Sequence, residues 1–463
     1  MGALLLLAAS ALAEDVDEDA LFGGTPATET PAPAPTDAPA DTPPPGDLGI
    51  EITETAPADI LSRIGLADER LTVGGKLYLR ANSSFFEDTD AEDTLYSSPN
   101  LLDLYTDIRP NDRVRGFAQA RLTYDFTIAE GDENYLGEDV EAASVELDQL
   151  WVKFDLANRV FVTAGRQRVR WGSGRFWNPT DVLSQQTLNA LDVAVFDNRT
   201  GVTLLKVHVP IEKIGANLYA VANFDGADTV GQIGGALRTE WVLGPSEIAL
   251  TAAAREGDPV RLGADFSAAV GPVDLRVEGA VRHGDETPTF EGDFEAATLT
   301  FPEEVDHSDE WIPQVVAGAE IGIQLNDEDT LYIGGEYFYN ATGYTDSTLY
   351  PFLLLKGAFT PFYLGEHYFG AYAALPGPGN WDDTSFTVST LGNLSDQTYA
   401  SRLDVSAKLN TFLSVSAYAG VYYGENGEFH FSYHLDPIEG VLPDGVDIPA
   451  PIGTVGVGAM VNF

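Results

Sequence analysis

From Arg70 onward apolar and polar residues alternate one by one in segments of about ten residues, and this period of two narrows the possible folds more than any other feature. In PVRLGADFSAAV, Val260, Leu262, Ala264, Phe266 and Ala268 share one face, and Arg261, Gly263, Asp265 and Ser267 share the other. VDLRVEGAVR repeats the pattern, with Val273, Leu275, Val277 and Val281 opposite Asp274, Arg276, Glu278 and Arg282. VRGFAQARLTYDF, QVVAGAEIGIQ and ASRLDVSAKL behave alike. Strands this long, apolar on one side and charged on the other, fit either a wide soluble two-layer sheet or a transmembrane barrel with a wet interior.

Connection lengths separate the two. Eighteen candidate strands follow Leu71, with sixteen as the alternative count. Short links (RPND, DLAN, PIEK, LGPS, VGP, LNDED, the longer LPGPGNWDD, KLNT) alternate with long ones at 87–99, 129–141, 172–199, 283–311, 341–363 and 424–451. Two long-side links, near Gly257 and Asp396, are short. Tight turns at one end and extended loops at the other are what an outer-membrane barrel needs, and an even strand count puts both termini in the periplasm. The last strand, GTVGVGAMVNF, carries Val455, Val457, Ala459 and Val461 at alternate positions before Phe463. That ending resembles the assembly signal of bacterial outer-membrane barrels and implies the barrel-assembly machinery as a partner. The expected fold is all-β: a transmembrane antiparallel up-and-down β-barrel in the bacterial outer membrane.

Composition supplies exclusions. The chain has 463 residues, a formal net charge of −47 and no cysteine, which removes disulfides, thiolate zinc sites and a lipoprotein anchor. No run of 18 apolar residues occurs, so no helix spans a bilayer. MGALLLLAASALA (1–13) reads as a secretory signal. Residues 14–59, acidic and then Pro/Ala-rich, read as a disordered periplasmic arm, and the barrel domain takes residues 60–463, with a short helical turn possible from Ala58.

Within this acidic chain GRQRVRWGSGRFWNPTD concentrates Arg166, Arg168, Arg170 and Arg175. Read as one strand from Asn158 to Gly172, in a hairpin with ASVELDQLWVKFDL, it sets Asp148 opposite Arg166, Glu146 opposite Arg168 and Ser144 opposite Arg170. Leu150, Val152 and Phe154 then oppose Ala164, Val162 and Val160. The other face holds Phe161, Thr163, Gly165, Gln167, Val169 and Trp171; Phe161 and Trp171 lie about 33 Å apart along a strand, the spacing of two aromatic girdles. Guanidinium groups in hydrocarbon cost about 2 to 4 kcal/mol each near the midplane, so the arginine face is expected in the lumen. There the arginines either wall a charged constriction or only satisfy acids across the ladder, with Arg170 and Arg175 lacking an identifiable partner. Arg115 and Arg121 join Arg166, Arg168, Arg170, Arg175, Glu146 and Asp148 as expected pore-lining residues. Beyond Trp171 the connection either folds inward or packs over the rim, and VLSQQTLNAL could form two turns of helix.

This stretch resembles the Gly-Arg-Gln, Trp-Gly, Asn-Pro-x-Asp pattern of porin-like outer-membrane proteins in the neighbourhood of alginate-export-type barrels. The resemblance covers about seventeen residues, and it implies an eighteen-stranded barrel with a basic lumen that passes anionic or sugar-like solutes.

Enzymatic motifs are missing: no Gly-x-Ser-x-Gly, no His-Glu-x-x-His and no phosphate loop. His430 and His434 on one strand would lie about 13 Å apart, too far to share a metal. FEDTDAEDT (86–94) and GDENYLGED (131–139) either bind calcium or form a solvated acidic surface. The excess of acid argues against nucleic-acid binding. The expected function is therefore a non-enzymatic, porin-like diffusion channel with no cofactor and no metal, whose partners are outer-membrane lipid and a small solute. A polysaccharide-export barrel and a surface adhesin or scaffold are the alternatives.

Overall fold

The computed structural model describes residues 70–90, 94–129, 131–132, 140–183, 200–284, 287–295, 298, 300–435 and 446–463. The signal sequence, the acidic Pro-rich arm, the turn from Ala58, most of GDENYLGED and all but the first two residues of VLSQQTLNAL lie outside them.

Among the described residues eighteen long strands form one sheet. They are Leu71–Phe86 (β1), Pro99–Asn111 (β2), Val114–Asp125 (β3), Ala143–Leu156 (β4), Val160–Gln167 (β5) and Val202–Ile211 (β6). Ala216–Asn223 (β7), Gly234–Leu243 (β8), Ser246–Ala254 (β9), Val260–Val270 (β10), Val273–His283 (β11) and Trp311–Gln324 (β12) follow. Thr330–Asn340 (β13), His367–Pro376 (β14), Thr384–Asn393 (β15), Thr398–Lys408 (β16), Leu413–Gly424 (β17) and Pro451–Asn462 (β18) complete the series. Each runs antiparallel to its neighbour, and β1 is held by β2 on one side (Leu77 opposite Leu102) and β18 on the other (Leu77 opposite Val461). The sheet is thus a closed up-and-down barrel, and closure leaves no unpaired edge. A short piece, Leu95–Ser97, extends the pairing on β1 beyond β2.

The alternation decides what faces out. On β10 Val260, Leu262 and Phe266 are 43%, 43% and 38% exposed, whereas Asp265 between them is 6% exposed. Leu150, Leu237, Leu250 and Val457 continue this exposed apolar exterior around the wall. Large apolar groups outside and charges inside is the inversion expected when the outer solvent is hydrocarbon. Tight turns lie at one end: Gly244 and Gly271 take φ of 66° and 64° in the two-residue links after β8 and β10. Phe463 donates its N–H to Gly75 O (2.9 Å) and accepts from Gly75 N (2.8 Å), so β18 ends beside the start of β1 at the short-turn end.

The opposite end carries the long loops. That between β13 and β14 contains one helix, Tyr350–Lys356 (α1), opened by Pro351 and closed by Gly357 at φ 69°. Leu349, Phe352 and Leu353 pack with Phe290 from the β11–β12 loop and with Phe431 and Ile448 from the β17–β18 loop, making a cap with an apolar core of its own.

The arginine hairpin departs from the simple alternation in three ways. First, Leu150 opposes Arg166 and Leu156 opposes Val160, a register two residues from the expected one, because the link takes three residues, with Ala157 and Asn158 at φ 56° and 53°. Second, β4 has a register break against β3 at Gln119/Ala120, where Asp148 is the extra residue, and Gly165 at φ 126° distorts β5. These interruptions let Leu150 and Val152 face lipid while Asp148, Arg166 and Arg168 reach inward acids and bases. Third, the strand stops at Gln167 instead of continuing to Gly172. The assignment of Phe161 and Trp171 to lipid girdles is consequently overturned: Phe161 packs on inward His208 and beneath Lys153, and Trp171, 5% exposed, lies in an interior cluster with Val169, Leu183 and Leu204.

Candidate functional site

After Gln167 the chain leaves the wall and crosses the lumen as an irregular segment, Arg168 to Leu183. An irregular backbone inside a barrel has peptide N–H groups that no ladder partner serves, so the wall must supply acceptors. Two glutamates do so, and a third on the strand between them takes a side chain of the segment. Glu278 on β11, fully buried, accepts from the N–H groups of Ser173 and Gly174 and from Thr180 Oγ1 (2.9 Å). Glu336 on β13 accepts from the N–H groups of Arg175 and Phe176, the latter at 2.8 Å. Glu320 on β12 receives the Arg175 guanidinium at 3.2 Å, with Arg276 at 3.8 Å. Bonds of this kind to an ionised acceptor contribute about 1.5–3 kcal/mol each, more than neutral ones.

Apolar contacts finish the anchorage. Trp177 is completely buried, stacks on Phe338 (5.3 Å between centroids) and donates Nε1–H to Phe362 O (3.2 Å). Phe176 sits where a side chain on Gly370 would be; a Cβ there would come within 2.5 Å of the ring. A residue larger than glycine at 370 would push the segment off the wall.

The expected pore-lining residues can now be placed. Arg168 pairs with Asp148 (2.7 Å), and Arg166 with Glu146 (3.1 Å) and with Asp225 (3.3 Å), so the two arginines exchange the partners expected from the simple hairpin. Arg121 pairs with buried Asp103 at 2.8 Å and Arg115 with Asp107 at 3.0 Å, its guanidinium over Trp151. Arg175 is not unpaired: besides Glu320 it lies 4.7 Å over the ring of Tyr372. Arg170 donates to Gly174 O at 2.8 Å, bracing the segment against itself.

Several inward charges escaped the sequence reading. Arg238, 4% exposed on β8, bridges Asp265 (2.7 Å) and Glu240 (2.6 Å); Arg402 on β16 pairs with Asp404 (2.7 Å) over the ring of Tyr418. Both lie on polar faces of alternating strands, which was the signal available. The three glutamates lie on such faces too, but nothing in the sequence links them to a segment 98 to 161 residues away.

Among the described residues, two of the interior cavities lie on either side of the segment. Toward the long loops one of about 620 Å³ is bordered by Asp181, Arg255, Asp258, Arg261, Arg282 and Tyr363. Toward the short turns one of about 600 Å³ is bordered by Arg170, Arg175, Glu247, Asp274 and Arg276. Residues 178, 179 and 181 border the first and residues 172–175 the second, so the segment lies between the two.

No protein-family model matches the chain, and no curated protein matches it in sequence. Solved barrels share its general course. OccAB4 of Acinetobacter baumannii superposes with a TM-score of 0.49 at 9% identity, over 85% of this chain and 98% of that one. OccK8 (OprE) of Pseudomonas aeruginosa gives 0.49 at 9% identity, over 85% and 99%. The outer-membrane protein OpdK of the same organism gives 0.48 at 9% identity, again over 85% and 99%.

Proposed function

We propose that this chain is an outer-membrane channel for passive diffusion of small polar or anionic solutes, with the Arg168–Leu183 segment as its constriction. The observation that carries the reading is the segment itself, fastened across a closed barrel with a polar chamber on each side. A lumen built only for rigidity would fill with packed side chains. Arg170 and Arg175 border the cavity toward the short turns, and Arg166, Arg168, Arg115, Arg121, Glu146 and Asp148 form a paired charged stretch of the adjoining wall, which leaves a structured field without a large net charge. The function is transport and not catalysis, and β18 with Phe463 engages the barrel-assembly machinery. No feature of the site favours the polysaccharide-export variant or the adhesin alternative.

Recording from the purified protein in planar bilayers tests this. Discrete conductance steps are expected, and replacing Arg170 and Arg175 by serine should lower the anion-to-cation permeability ratio several-fold. A silent bilayer, or a ratio unmoved by the double substitution, would count against the proposal.

A further inference from the structure

The cap over the long-loop end meets the barrel at a buried polar cluster. Glu428, 3% exposed in the β17–β18 loop, accepts from the N–H of Phe362 in the β13–β14 loop and from Tyr368 Oη of β14 (2.6 Å). Asn393, at the end of β15, donates Nδ2–H to Glu428 (2.9 Å) and to Asp396 (3.0 Å). Asp396, in the β15–β16 link, accepts the N–H of Glu428 at 2.7 Å and both groups of Thr398. Tyr350 of α1 reaches the same point, 3.3 Å from Asn393 Nδ2. Two carboxyl groups from different loops thus meet in a site from which water is excluded.

We propose that this cluster is a proton-held latch: it fastens the cap across the barrel mouth while one of the two carboxyl groups stays protonated, and it loosens as alkali removes that proton. Two adjacent buried carboxylates cannot both ionise without strong repulsion and loss of solvation. Burial, and then the charge of Asp396, push Glu428 up to about 8; burial also raises Asp396 and Tyr350. The titratable groups facing Glu428 are Asp396 from the β15–β16 link, Tyr368 from β14 and Tyr350 from α1. On its own loop His430 turns to Glu87, 3.4 Å away. A carboxyl held above its ordinary value binds more proton when docked than when released. Docking is therefore strongest below the ordinary carboxyl range, and weakens as pH rises to about 8, beyond which it levels off.

The inference is independent of the channel reading, and its test needs no conductance. Lys356 closes α1 within the cap, and trypsin cleavage after it reports local opening of the loop. The full-length protein in vesicles, digested between pH 6 and pH 9 with rates normalised to an unfolded substrate, should show cleavage rising roughly seventyfold between pH 6 and pH 8.5. Glu428→Gln should flatten that rise, and Asp396→Asn, which leaves a single carboxyl, should move it to lower pH. Retention of the heat-modifiable band on gels establishes that each variant is a folded barrel. A pH-independent wild type, or a rise of unchanged size and midpoint in both variants, would overturn the latch.

Discussion

Arg238 illustrates how one residue can hold much of this interior. Its guanidinium donates to Asp265, Glu240 and Thr251 and lies 5.8 Å over Trp171, joining three strands to the base of the lumenal segment. Removing one partner from a buried pair leaves the other charge uncompensated. Arg238→Ala should therefore cost about 3–5 kcal/mol of barrel stability, read by urea titration in lipid vesicles. Replacing both ends of the pair, Arg238→Met with Asp265→Leu, should restore most of it. An equal loss in the single and double variants would show that the pairing does not matter. At this scale the sequence was partly legible. Inward placement of Arg166 and Arg168 follows from charge and the cost of hydrocarbon. Their partners do not, because one extra residue in β4 and one glycine at positive φ in β5 shift who meets whom.

The lumenal segment is the element in which sequence pattern and structure differ most. Arg166, Arg168 and Arg170 alternate as in a strand, yet the sheet ends at Gln167 and the next residues cross the lumen. Period alone could not show this, since a strand and an extended inward segment alternate alike. What fixes the path is three glutamates on the consecutive strands β11, β12 and β13, distant from the segment in sequence and brought to it only by the curling of the sheet. Glu278→Gln should loosen the partition, since an amide has one acceptor oxygen where the carboxylate uses two. Because the chain has no native cysteine, a nitroxide on Ser173→Cys can report directly. Its spectrum should sharpen to nanosecond mobility in the glutamine variant and stay broad with Glu278 intact. Identical spectra would mean that Glu278 does not position the segment. On β10 and β11, where no bulge intervenes, Leu262, Phe266, Leu275 and Val277 are exposed and Asp265 and Glu278 buried as the alternation predicts, whereas Ala268 is buried.

At the level of the whole molecule the architecture was plain from sequence: long alternating strands, sorted loops and an even count imply a closed barrel. The cap was not, since loop packing depends on contacts among β11–β12, β13–β14 and β17–β18 that follow no short period. Closure depends on β18 meeting β1, and Phe463 contributes a main-chain pair with Gly75 and a ring against it. Deleting Phe463 should reduce the folded, heat-modifiable fraction in outer-membrane preparations several-fold. Undiminished yield would remove the last residue from any role in assembly. The partitioned lumen has a kinetic meaning as well. In the channel proposed above, the cavities of about 620 and 600 Å³ on either side of the segment act as two wells separated by one barrier, so that a permeating solute hops instead of drifting. Because different residues surround the two wells, the occupancy of each depends on the side from which solute arrives. A passive channel of the proposed kind can saturate and rectify, favouring one direction of flow without any moving part.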